Sequence, residues 1–131
     1  MREQKFIEWF NTKTGMKLIK TEFKFERFDF YDEFYIVELK IRDKVYPEKA
    51  IQVDKCFNLI QTAEALDKIP LYIVADKSGV FVYNLNNIQF LEKMIVEMAS
   101  PVTTEFSKNK MITKYFYLLE NKDAAKVLDI N

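Results

Sequence analysis

Asp29, Glu38 and Lys40 are the residues of this chain whose types and spacing suit them to chemistry. An aspartate stands nine positions before a Glu-x-Lys, in two strand-like segments joined by a short polar turn at Asp32-Glu33. Strand side chains alternate between faces, so Glu38 and Lys40 point one way while Val37, Leu39 and Ile41 point the other. With an even number of loop residues, Phe28 and Phe30 meet Leu39 and Val37 on an apolar face, and Asp29 falls across from Glu38. Carboxylates about 5 Å apart repel each other, and a hard divalent cation relieves that repulsion. Magnesium takes one or two carboxylates, several waters and phosphate oxygens. A lysine roughly 7 Å further along the strand reaches an attacking water or the scissile phosphate without occupying the metal. That is a minimal kit for metal-assisted phosphodiester hydrolysis. The chain has no histidine, which excludes histidine acid–base schemes and histidine-ligated zinc.

The elements that must position these residues follow an α-β-β-α-β-β-α-β order. Arg2 to Thr12 carries Phe6, Ile7, Trp9 and Phe10, a helix that stops before Gly15. Met16 to Tyr31 reads as an extended, bent or split stretch, Phe34 to Arg42 as a strand, and Asp43 to Lys49 as a loop. Ala50 to Lys68 is expected to be a helix, with Val53, Phe57, Ile60 and Cys56, Leu59, Ala63, Leu66 at helical spacing. Leu71 to Ala75 and Val80 to Tyr83 flank the hairpin signal Lys77-Ser78-Gly79. A third helix is expected over Asn87 to Ala99, then a strand over Lys114 to Leu119 and a short helix over Asp123 to Leu128. The class is α/β: a mixed central sheet flanked by helices.

Asp, a spacer and (Asp/Glu)-x-Lys on the next strand resemble the PD-(D/E)XK nuclease superfamily of restriction endonucleases and junction resolvases. The likeness is greatest to small stand-alone viral and phage members. It is carried by Arg27-Phe28-Asp29-Phe30-Tyr31, Val37-Glu38-Leu39-Lys40-Ile41-Arg42 and Tyr46-Pro47, and spans about Lys24 to Leu85. The chain lacks a proline before Asp29. The resemblance implies a restriction-endonuclease-like core and a Mg2+- or Mn2+-dependent nuclease acting on DNA. Asp29, Glu38 and the Leu39 carbonyl would be the metal ligands, with Lys40 beside the attacking water. It also implies a weaker metal role for Glu8 on the first helix. Lys55 and Gln52, on the helix after the catalytic strand, would lie near phosphate.

Length and composition suit one nuclease-like domain over 1–131 with a substantial core: 49% of the residues are hydrophobic, and two glycines and three prolines leave little for linkers. No apolar run is long enough for a membrane span, and Met1 to Phe10 mixes charges into its apolar residues, unlike a signal peptide. Cys56 is alone and reads as a small buried helix residue in a reducing, cytoplasmic setting.

Twenty basic and twenty acidic residues cancel, whereas nucleic-acid binders usually carry a basic surface. The charges are nevertheless uneven. Lys13, Lys17, Lys20 and Lys24 cluster, and Arg27, Lys40, Arg42, Lys44 and Lys49 surround the trio. Arg27, Arg42 and Lys44, with Lys55 and Gln52, are the nucleic-acid contacts expected. Tyr46 could stack on a base or anchor its loop, and Asp54, Asp67 and Asp76 have no partner pattern. Two other functions compete with a simple DNA nuclease. One is a catalytically silent nuclease-like module for binding or assembly; the other is a junction resolvase acting as a homodimer. The ordinary account of the hairpin is a solvent face with cross-strand ion pairs. Phe34 and Ile36 share the face of Glu38, however, and mark it as partly covered.

Overall fold

The computed structural model describes residues 2–22, 27–101 and 111–130, with residues 100 and 101 as backbone only. Lys24 therefore lies outside the described residues. Among the described residues two α-helices and nine strands follow in the order α1 (Arg2–Thr14), β1 (Ile19–Lys20), β2 (Phe30–Tyr31), β3 (Tyr35–Ile41), β4 (Lys49–Gln52), α2 (Val53–Leu66), β5 (Ile69–Asp76), β6 (Gly79–Asn84), β7 (Ile95–Pro101), β8 (Met111–Leu119) and β9 (Lys126–Leu128). Among the described residues a six-stranded sheet has the order β1-β2-β3-β5-β6-β9, and a three-stranded sheet the order β4-β8-β7. β3 and β5 are parallel and every other paired strand is antiparallel, so the central sheet is mixed as expected.

The central sheet is buried on both faces, which is why β5 and β6 read as nearly continuous apolar runs. On one face Ile7 and Phe10 of α1 pack with Phe30, Val37, Leu39 and Ile73. On the other, Cys56, Leu59 and Ala63 of α2, with Ile51, Tyr117 and Leu119 of the small sheet, pack with Ile36, Tyr72 and Tyr83. Cys56 is buried as expected, and burial pushes its thiol up to about 12. No described helix is long and apolar enough to cross a membrane.

Two devices hold α2 against the site. The helix ends at Asp67 in the left-handed conformation (φ 56°, ψ 47°), where the Lys68 amide donates to the Ala63 carbonyl at 2.8 Å. The Lys68 ammonium then donates to the Asp32 carbonyl at 2.6 Å, tying the helix end to the β2–β3 turn. That turn has even length: Asp32 accepts from the Phe34 and Tyr35 amides, and the register is Phe30 with Val37 and Tyr31 with Ile36.

Four expectations need correction. Phe28 does not share the face of Phe30; it packs with Ile36 on the α2 side, because the chain bends at Asp29 and strand alternation breaks there. The segment read as the start of α2 is strand β4, whose Ala50 and Ile51 pair with Leu118 and Tyr117 of β8. The helix expected over Asn87 to Ala99 is replaced by single turns at Leu85–Asn87 and Phe90–Glu92 followed by β7. Pairing with the aromatic-rich β8 overrides helical spacing there, and β-branched Ile95 and Val96 suit a pleated strand. The terminal helix is likewise a turn at Asn121–Asp123, closed by reciprocal bonds of Glu120 and Asp123, and then β9 paired with β6.

Candidate active site

β3 supplies the centre of the site. Ile36, Glu38 and Lys40 project from one face of it, where Ile36 is fully buried and Lys40 reaches the open end. Glu38 stands beside Tyr72 and Lys40 beside Val74 on parallel β5, so the strand carrying the charges is braced by a core strand.

Asp29 arrives from the other side. Its amide donates to the Val37 carbonyl at 2.8 Å, and its carboxylate accepts from the Leu39 amide at 2.8 Å. The carboxylate thus takes the acceptor position a continuing strand would have filled, which is what the bend at Asp29 accomplishes. The N–H and C=O of one extended residue point to the same side. The Leu39 carbonyl is therefore directed to the edge where the Asp29 carboxylate lies.

The electrostatics are those of unlike and like charges crowded together. The Lys40 and Lys55 ammoniums each lie 3.7 Å from the same Glu38 oxygen, and the Glu38 side chain is only 14% exposed. Burial holds the Glu38 carboxyl above its usual value, and the charge of Asp29 adds to this against the pull of Lys40 and Lys55. Burial also pushes the Lys40 ammonium below its usual value, helped by Lys55 and Arg42 and opposed by Glu38 and Asp29. In each group burial disfavours the charged form, and perturbation of this kind gathers where titratable side chains are set to work on a ligand.

Two clefts open on these groups. One of about 380 Å³ is walled by Arg27, Asp29, Glu38, Lys55 and Asn58; a second of about 320 Å³ by Glu38, Lys40, Arg42, Gln52, Lys55 and Lys114. The structure therefore brings Arg27, Arg42, Gln52 and Lys55 together with the trio. It does not bring in Lys44, which is exposed in the loop after β3 and lines neither cleft. Glu8 is also outside. It is exposed on α1, which packs on the opposite face of the sheet. Asn58 and Lys114 were not anticipated. Asn58 is three residues from Lys55 and so on its helix face, a readable signal; Lys114 comes from β8, whose pairing nothing in its own sequence announces.

Among the described residues no group of three or more acidic, cysteine or histidine side chains converges. A hard divalent cation nonetheless fits: two carboxylates and a strand carbonyl are all-oxygen donors, and magnesium characteristically leaves its remaining positions to water and phosphate.

No family model matches the chain, and no curated protein matches it. Among solved structures it is similar to Hjc, a Holliday junction resolvase from the archaeal hyperthermophile Archaeoglobus fulgidus. The TM-score is 0.58 at 11% identity, covering 98% of this chain and 89% of that one. At that identity the likeness is one of fold, and it extends over nearly the whole chain.

Proposed function

We propose that the chain is a PD-(D/E)XK-type nuclease, one domain over 1–131, that hydrolyses DNA phosphodiester bonds with Mg2+ or Mn2+. The observation that carries this is that Glu38 lines two adjoining clefts, one with Asp29 and the other with Lys40, in a fold similar to that of a resolvase. The narrower likeness to viral and phage members rests on residues 24–85 alone.

Asp29, Glu38 and the Leu39 carbonyl would hold the cation. When bound, it would offset charge building on the phosphate oxygens and acidify a coordinated water. Lys40, beside Glu38 and lowered in pKa by burial, orients the attacking water and exchanges its proton. Lys55, Arg27, Arg42 and Gln52 line the walls where a phosphate backbone would run, which answers the objection from zero net charge: the cations are gathered locally. Lys44 would touch flanking phosphates from its loop.

A second reading, a junction resolvase working as a homodimer, is favoured by the structural neighbour and by the need to cut two strands symmetrically. One assay separates these readings from a silent module. Wild type incubated with magnesium or manganese should cleave linear, single-stranded or four-way-junction DNA, and Asp29→Asn should not. Paired symmetric cuts confined to the junction select the resolvase. Protein that binds the metal yet cuts none of these substrates would leave only the non-catalytic module.

A further inference from the structure

A cleft of about 590 Å³ lies on the other side of β3, between α1 and the ends of β3 and β5. Its wall is aromatic: Phe6 and Trp9 of α1, both half-buried, hold their ring centroids 5.7 Å apart. Its floor is Ile41 and Ala75, and its rim is cationic. The two acids that line it are already engaged. Asp43 is paired with Arg2 at 3.0 Å, and Asp76 is buried against Lys49 at 3.2 Å. Lys5, Arg42 and Lys77 make no ion pair among the described residues, so the cleft carries uncompensated positive charge in a chain that is neutral as a whole.

We infer that this cleft binds single-stranded nucleic acid, taking an unpaired base against Trp9 and its flanking phosphates on Lys5, Arg42 and Lys77. Aromatic faces serve every base alike, and cations beside them follow the backbone. A purely apolar peptide would use the floor and leave three cations without a counter-charge. A duplex keeps both faces of each base covered by its stacked neighbours, so the ring offered to Trp9 must be unpaired. Arg42 also lines the cleft that holds Glu38 and Lys40, which makes the two clefts neighbours around the end of β3. A single strand leaving the proposed cutting site therefore has a cationic path to the aromatic wall. The inference goes beyond the nuclease reading and stands on a separate cleft.

Trp9 is the chain's one tryptophan, so its fluorescence reports this cleft. The full chain is titrated in EDTA with a short oligothymidylate. Saturable quenching by the single strand and none by a blunt duplex of equal length is the expected result. Lys5→Glu and Lys77→Glu, both at exposed positions, should weaken it by about tenfold together, and raising salt should do the same to wild type. Trp9→Ala, followed by anisotropy of a labelled strand, should also lose about tenfold, and Trp9→Phe should recover most of it. Asp29→Asn should quench like wild type, so a failed cutting assay and a failed quenching assay remain distinguishable. Absence of quenching, quenching untouched by the charge reversals, or equal quenching by an acidic aromatic peptide would each overturn the inference.

Discussion

Two lysine–carboxylate clusters lie around the same pair of strands, and they differ in how completely their charges are spent. Lys49 and Asp76 stand 3.2 Å apart with side chains 3% and 1% exposed. The Asp76 carboxylate also accepts from the amide and hydroxyl of Ser78, while the Lys49 ammonium donates to the Tyr46 carbonyl at 2.6 Å and sits 4.4 Å from the centre of the Phe81 ring. The cluster is closed, and its effect is mechanical: it fastens the Tyr46-Pro47 loop to the end of β5. Around Glu38 two ammoniums approach one carboxylate oxygen only to 3.7 Å, longer than a hydrogen bond, with a second carboxylate crowding in. That cluster is open on two clefts and keeps lone pairs free for a ligand. An ion pair shut away from solvent marks a structural pair; charges crowded at an open cleft mark a site.

The largest effect expected is on chemistry, and only in the open cluster. Glu38→Ala and Lys40→Ala should each cost roughly 10²–10⁴-fold in metal-dependent DNA cleavage, the range for removing a positioned proton-transfer group. The two losses should differ in kind. Glu38→Ala removes a ligand, so magnesium or manganese should no longer raise its melting temperature, whereas Lys40→Ala should still be stabilised by the ion. Equal metal responses from the two variants would break the division of roles.

Next in size is the stability of the closed cluster. Asp76→Asn or Lys49→Met leaves a buried charge without its partner and should cost about 3–5 kcal/mol in urea unfolding. Replacing both residues by apolar ones, Lys49→Met with Asp76→Leu, should recover much of that loss. Cleavage at a temperature where the variants remain folded should survive. A cost below about 1 kcal/mol for either single variant would mean that the pair fastens nothing.

The same contrast explains what the sequence could disclose. The hairpin register was legible because Phe30 and Val37 must both reach a core, and a slip of one residue would have put them in water. The placement of Glu38 and Lys40 followed from alternation along β3. The bend at Asp29 was not legible, since it consists of a carboxylate replacing a backbone acceptor, and so Phe28 was assigned to the wrong face. Nor was the closed cluster. Lys49 and Asp76 are 27 positions apart, and only the pairing of β4 with β8 and the packing of β5 bring them together. β7 failed for a related reason. Its residues are mostly exposed, so no burial pattern imposes a period of two, and its identity comes from the partner strand β8. Regions fixed by their own burial could be read; regions fixed by a distant partner could not.

The smallest expected effect is on stability against pH in metal-free buffer, where the two clusters should act with opposite sign. Asp76 is pushed up by burial, but the hydrogen bonds of Ser78 and the Lys49 ammonium outweigh this and hold it below its ordinary 3.8. A carboxyl lowered on folding stabilises above its unfolded value and loses that contribution as pH falls through the lowered one. Asp76→Asn should therefore flatten the acid side of the curve, below about pH 3.8. Glu38 is raised above 4.5, by burial and then by Asp29. Its contribution is complete below 4.5 and fades as pH rises through the raised value, because ionisation then sets two carboxylates against each other. Glu38→Gln cannot ionise, so in EDTA its melting temperature should gain on wild type as pH climbs from 4.5 towards neutrality. Magnesium should close that gap from the wild-type side, since the ion offsets the repulsion that the glutamine removes. If the two variants instead shift the curve in the same pH window, or Glu38→Gln loses stability as pH rises, the Glu38 cluster is as closed as the Asp76 pair and the distinction between them fails.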